Sequence, residues 1–109
     1  MTRISVVTPT YNLIEAGRRD MIGQAIGSVR GQSHPDVELI VVDGGSTDGT
    51  RDIAHDAGAI VVESFRGRGV QIEKGIRAAT ADVIIILHAD CEPEKGVFER
   101  ILQTLNANR

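Results

Sequence analysis

Val83-Ile84-Ile85-Ile86-Leu87 is an unbroken apolar run, mostly β-branched, that ends abruptly in His88 and Asp90. A run this short and this apolar reads as a strand buried on both faces, the habit of parallel sheets covered by helices. A chain that carries it must supply cover on two sides. His88 and Asp90 fall at its carboxyl end, where open α/β sheets gather their ligands. Both groups bind divalent metals. The plainer alternative is that Asp90 only opens the loop before Pro93 and that His88 is satisfied at a strand end.

The rest of the sequence meets the demand for cover. Ile4-Ser5-Val6-Val7-Thr8 reads as a first strand closed by Pro9. A helix is predicted over Arg19 to Arg30, with Met21, Ile22, Ala25, Ile26 and Val29 on one stripe and Gly31 as its stop. Gly23 and Gly27 weaken that helix, and their spacing suits close packing on a sheet. After the turn Ser33-His34-Pro35-Asp36, Val37 to Val42 form a second strand. Ser46 or Thr47 can cap the next helix, which runs to about Ala57 before Gly58 ends it. Ala59 to Glu63 supply a third strand. The glycine-rich basic loop Ser64 to Gly69 precedes a helix from about Val70 to Ala79, with Ile72, Ile76 and Ala79 inward. Pro93-Glu94 marks the start of a last helix, whose stripe is Val97, Phe98, Ile101, Leu102 and Leu105.

Strand and helix alternate without exception. That order predicts a three-layer α/β domain, a Rossmann-like parallel sheet of about four strands with helices on both faces. At 109 residues, 41% apolar and 25% charged, the composition is that of one ordinary globular domain. A net charge of −3 argues against a general nucleic-acid binder. The single Cys91 allows no internal disulfide. With no leader and no run of about 18 apolar residues, the expectation is a cytoplasmic domain without a transmembrane segment. Membrane-peripheral attachment stays open.

A doubly wound sheet brings its carboxyl strand ends to one crevice. Here the ends carry Thr8, Pro9 and Tyr11, then Asp43 and Asp48, then Arg66 and Arg68, then His88 and Asp90. An aromatic face, a hydrogen-bonding acid, guanidinium groups and metal ligands are what a nucleotide requires. Tyr11 can flank a base, or simply pack on the sheet edge. Asp43 can accept from a base N–H or a ribose hydroxyl, and can equally serve as the turn residue before Gly44-Gly45. Arg68, between two glycines, offers a planar fork to a diphosphate. Asp90 and His88 would hold Mg²⁺ or Mn²⁺, for which one firm carboxylate suffices when phosphates and water fill the other positions. The imidazole tilts the choice toward Mn²⁺. His34 and His55 read as solvated. Gly67-Arg68-Gly69 imitates part of a dinucleotide fingerprint, but Ile72 stands where its third glycine belongs.

These motifs together resemble the family 2 glycosyltransferases with the GT-A fold. Ser5 to Asn12 is similar to that family's opening strand and nucleotide loop. Val41-Val42-Asp43-Gly44-Gly45-Ser46-Thr47-Asp48-Gly49-Thr50 is similar to its most recognisable signature. Leu87-His88-Ala89-Asp90 occupies the place of its Asp-x-Asp metal motif, in the form of a subgroup that reads His-Ala-Asp. The resemblance implies a sheet order of 3-2-1-4, the N-terminal half of a GT-A fold. It also implies nucleoside contacts from Pro9, Tyr11 and Asp43, with Thr8 in the same loop. Arg68 would lie near the diphosphate and Asp90 on the metal. The implied chemistry is inverting transfer from a UDP-sugar or another nucleotide-diphosphate sugar. Leu13 replaces an acid that often follows the loop Asn, with Glu15 two residues on, and Glu73 or Lys74 stands where some relatives carry Asn.

No residue matches the family's catalytic base. Residues 1–109 are therefore expected to be a donor-binding half lacking the acceptor side, with little or no transfer activity alone. The fourth strand then becomes an apolar edge, which predicts a homodimer or higher oligomer that covers it. Two other readings compete. One is a non-catalytic binding or scaffold domain of the same fold, which would bind no nucleotide with metal. The other is a nucleotidyltransferase, which should carry a glycine-rich basic loop directly after the first strand, where this chain has Thr8 to Asn12.

Overall fold

The computed structural model describes residues 3–14, 17, 19–32, 36–89 and 96–107. In chain order the elements are β1 (Ile4–Thr10), α1 (Arg19–Arg30), β2 (Val37–Asp43), α2 (Thr50–Asp56), β3 (Ile60–Glu63), α3 (Arg68–Ala78), β4 (Val83–Ile86) and α4 (Val97–Ala107). All pairings are parallel, in the order β3-β2-β1-β4. This is the order the resemblance implied.

The alternation of side chains along each strand splits the core in two. Ile4, Val6, Leu39 and Val41 face a layer made by α1, α2 and α4, where Ile26, Val29, Ala54 and Phe98 are buried. Val7, Ile40 and Val42 face the opposite side, where α3 lies over β1 and β2. Three helices cover one face and one covers the other. β4 takes part in both layers through Val83 and Ile85 on one side and Ile84 on the other. Ile86, at its end, is 37% exposed.

β1 does not stop at Pro9 but continues to Thr10, paired with Asp43. The Val7 carbonyl accepts from Leu87 N–H on the β4 side, whereas the Thr10 carbonyl accepts from Gly44 N–H on the β2 side. Pro9 therefore faces the side of β4, which has already ended at Ile86. Its missing N–H leaves no strand partner unsatisfied there.

Several local expectations are corrected. Gly23 and Gly27 do not pack on the sheet: both are exposed, and a Cβ at either would meet nothing within 4 Å. The glycine that permits close approach is Gly75 in α3. Neither Ser46 nor Thr47 caps α2: Ser46 gives its hydroxyl to Asp43 in the loop below, and Gly49, at φ 89°, takes the N-cap position with no side-chain cap. α3 begins at Arg68 rather than near Val70, and its buried residues are Gln71 and Gly75, with Ile76 43% exposed. Leu105 is also exposed, while Val97, Phe98 and Leu102 of α4 face the core. The side chains of Met21 and Ile22, the turn residues Ser33, His34 and Pro35, and the helix start at Pro93-Glu94 lie outside the described residues.

At the amino end of the sheet, Glu38 cross-links β2, β1 and the approach to β4. It is 7% exposed. Ser5 Oγ donates to it at 2.6 Å, and the Thr80 N–H donates at 3.0 Å. No described helix is long and apolar enough to cross a membrane.

Candidate functional site

At the carboxyl end of the sheet, the loop after β2 is built around one carboxylate. Asp43 Oδ1 accepts from Thr10 Oγ1 at 3.0 Å and from Ser46 Oγ at 2.6 Å. Its Oδ2 accepts from the N–H groups of Gly45 at 3.1 Å and Ser46 at 2.7 Å. A carboxylate has about four acceptor positions, so all are taken. Asp43 is fully buried, and Arg51 Nε lies 3.8 Å from Oδ2. The loop after β1 is latched to this turn. Asn12 N–H donates to Ser46 Oγ at 2.8 Å, and Asn12 Oδ1 accepts from Thr47 N–H at 2.8 Å. Leu13 N–H donates to Thr50 Oγ1 at 3.0 Å. Asn12 holds this reach with φ 44°, in the left-handed region that Asn tolerates.

Above this platform opens a cleft of about 230 Å³ lined in part by Pro9, Tyr11, Arg66, Arg68, Gln71 and His88. Ligand pockets typically enclose about 300–1,000 Å³, so a ligand seated here would project from it. Tyr11 is 39% exposed, and the Arg66 guanidinium carbon stands 4.7 Å from the centre of its ring. That is cation–π distance. Arg68 opens α3, and no side chain caps that helix at Gly67. The first-turn amides and two guanidinium groups thus gather positive potential at one point, suited to an anion.

Of the residues the sequence singled out, Pro9, Tyr11, Arg68 and His88 come together in the cleft. Thr8 does not line it. It is 3% exposed, and strand alternation puts it on the same face as Ile4 and Val6. Asp43 also lies beneath the cleft, with its carboxylate given to the loop. Asp90 and Glu15 lie outside the described residues. His55 is exposed, as expected of a solvated residue. Among the described residues no group of three or more metal-ligating side chains occurs. Of the two metal ligands the sequence named, His88 alone lies among the described residues, on the same cleft as Arg66 and Arg68.

Arg66, named in the sequence among the strand-end groups, stacks on Tyr11. Gln71 was not marked there; it is 4% exposed, a polar residue on the buried face of α3. The signal for Gln71 was available: it stands one turn before Gly75, on the line that meets the sheet.

The glycosyl transferase family 2 model matches residues 5–109. Glycosyltransferase AglJ of Haloferax volcanii is 37% identical over 104 residues, covering 94% of this chain and 32% of AglJ. A solved structure of glucosyl-3-phosphoglycerate synthase from Mycobacterium tuberculosis holds Mn²⁺, UDP and glucosyl-3-phosphoglycerate. It matches with a TM-score of 0.70 and 30% identity, over 85% of this chain and 36% of that one. S. aureus TarS 1-349 matches in fold, with a TM-score of 0.83 at 22% identity, over 96% of this chain and 32% of that 1-349 chain. The chain spans about a third of the length of the curated relatives it matches.

Proposed function

The chain belongs to glycosyl transferase family 2, and from that premise we propose that these 109 residues bind a nucleotide-diphosphate sugar with a divalent metal ion. They form the donor half of an inverting transferase, with a UDP-sugar as the first candidate. The carrying observation is the single cleft that unites the Tyr11 ring, Arg66, the amino end of α3 with Arg68, and His88. UDP and Mn²⁺ in the mycobacterial synthase support the choice of nucleotide and ion.

In this reading the base lies against Tyr11 beside Pro9. The diphosphate lies toward Arg66, Arg68 and the first turn of α3, where a guanidinium fork and free amides meet its oxygens. Asp43 acts on the nucleoside through the loop it holds, because its own acceptors are occupied. His88, and Asp90 by its place in the motif, would hold the metal. Bound there, a divalent metal neutralises charge that develops on the leaving diphosphate. Attack of an acceptor hydroxyl on the anomeric carbon also needs a general base. The described lining of the cleft contains no carboxylate, so these residues bind donor and turn over little by themselves.

Isothermal titration with UDP, with and without Mn²⁺, tests the reading. Metal-dependent binding that Asp90→Ala removes is the expected result. Absence of UDP binding in both conditions would favour the scaffold reading, and robust transfer to acceptors by the 109-residue chain would overturn the donor-half assignment.

A further inference from the structure

We infer that Gln71 is the positioning residue of the cleft, the group that sets the base-side and phosphate-side walls at a fixed separation. The inference rests on the donor-site reading above. Gln71 reaches across the sheet edge to residues remote in sequence. Its Nε2 donates to the carbonyl oxygens of Thr10 and Val42, both at 2.9 Å. Its Oε1 accepts from Gly67 N–H at 3.0 Å. Both amide protons are therefore spent on backbone, and none is left for a ligand. Thr10 immediately precedes Tyr11, and Gly67 immediately follows Arg66. The one side chain thus grips the backbone on both sides of the Arg66–Tyr11 stack.

The fit around it is close. A Cβ on Gly44 would stand 3.0 Å from both Gln71 Oε1 and the Arg66 Cα. A side chain at 44 would make the amide or the Arg66 backbone give by a few tenths of an ångström. The seat is also rigid from below, since Gly75, one turn on, rests directly on Val7 and Val42. Ligands that touch both walls gain from their fixed spacing, because the orientation is set before binding. A ligand confined mostly to one wall gains less.

The test uses Gln71→Met, which removes all three hydrogen bonds, and Gln71→Glu, which keeps the acceptor for Gly67 but loses the donors to Thr10 and Val42. Binding of UDP and UMP is measured in Mg²⁺ by calorimetry. Tyr11 emission is read in parallel, as the chain has one Tyr and no Trp. In the folded variants the preference for UDP over UMP should shrink by about tenfold, the effect of losing roughly one buried hydrogen bond's alignment. Tyr11 emission should change without ligand as Arg66 leaves the ring. A lowered Tm with an unchanged UDP:UMP ratio and unchanged emission would overturn the proposal, leaving Gln71 a purely structural group. Loss of the fold in both variants would overturn it equally. If the wild type binds no UDP, the donor-site reading fails, and the ligand-free emission then decides Gln71 alone.

Discussion

Gly75 of α3 rests on Val7 of β1 with no space between them for a side chain: a Cβ at 75 would stand 2.3 Å from Val7 Cγ1 and 2.8 Å from Val42 Cγ2. Backbone-to-sheet contact at this point sets the height of α3, and with it the reach of Gln71 to the strand ends.

Gly75→Ala should therefore destabilise the fold by about 1–3 kcal/mol through overpacking, even after the roughly 1 kcal/mol that Ala gains in helix propensity. Gly23→Ala and Gly27→Ala in α1, where nothing lies within 4 Å, should instead stabilise by up to about 1 kcal/mol. Urea midpoints of the three variants check this. A common sign for all three would contradict the packing described.

Glu38 predicts the acid limb of stability. Burial pushes its pKa up, but hydrogen bonds from Ser5 and Thr80 and the charge of Arg3 outweigh it, so the folded value lies below the ordinary 4.5. A depressed carboxylate stabilises fully above the unfolded value and loses that contribution as pH falls through the folded one. Stability should drop below about pH 4.5, and Glu38→Gln should flatten that part of the curve. Thermal melts between acid and neutral pH provide the comparison; an unchanged acid limb in the variant would refute it.

Tyr11 makes the cleft self-reporting, as the chain's sole tyrosine with no tryptophan. UDP should change its emission saturably. Arg66→Ala should raise the emission change per ligand or shift the starting signal, since the guanidinium no longer covers the ring. Tyr11→Ala should weaken UDP binding by about tenfold, in line with roughly 1–3 kcal/mol for a base stacked on an aromatic ring. Undiminished affinity in Tyr11→Ala would move the base elsewhere.

His88 and Asp90 separate by the metal they favour. Asp90→Ala should abolish metal-dependent UDP binding. His88→Ala should retain it in Mg²⁺ while losing most of any advantage of Mn²⁺, because imidazole is the softer ligand. Equal losses in both metals for His88→Ala would make the histidine a general rather than a selective ligand.

β4 is an edge of the described sheet, and Ile86 at its end is 37% exposed. Unpaired apolar edges recruit a second chain, so we propose self-association through this edge. Sedimentation should show concentration-dependent dimers or larger species, which Ile86→Lys should shift toward monomer. A monomer at all concentrations would dismiss the proposal.

The order of elements was legible because it rests on local signals: β-branched runs, glycine stops at Gly31 and Gly58, and stripes at helical spacing. The signature from Val41 to Thr50 pointed to the family for the same reason, as a contiguous motif whose chemistry lies in adjacent residues. What local signals could not convey was which way each polar group turns. Thr8 looked like part of a binding loop, but it is a buried strand residue outside the described lining of the cleft. Asp43 looked available, but four donors, three of them from Gly45 and Ser46 just beyond it, take up its oxygens.

By itself the sequence determined an alternating α/β chain with its chemistry at the carboxyl strand ends, since periodicity and turn residues act over a few positions. Only the tertiary structure decided which of those residues share a cleft and what holds them there. The Gln71 amide bonds Thr10 and Val42 across separations of 61 and 29 residues, and Gly75 matters only because α3 happens to cross Val7. Such contacts depend on where two elements meet in space, and that height and crossing are fixed by packing, not by any pattern along the chain.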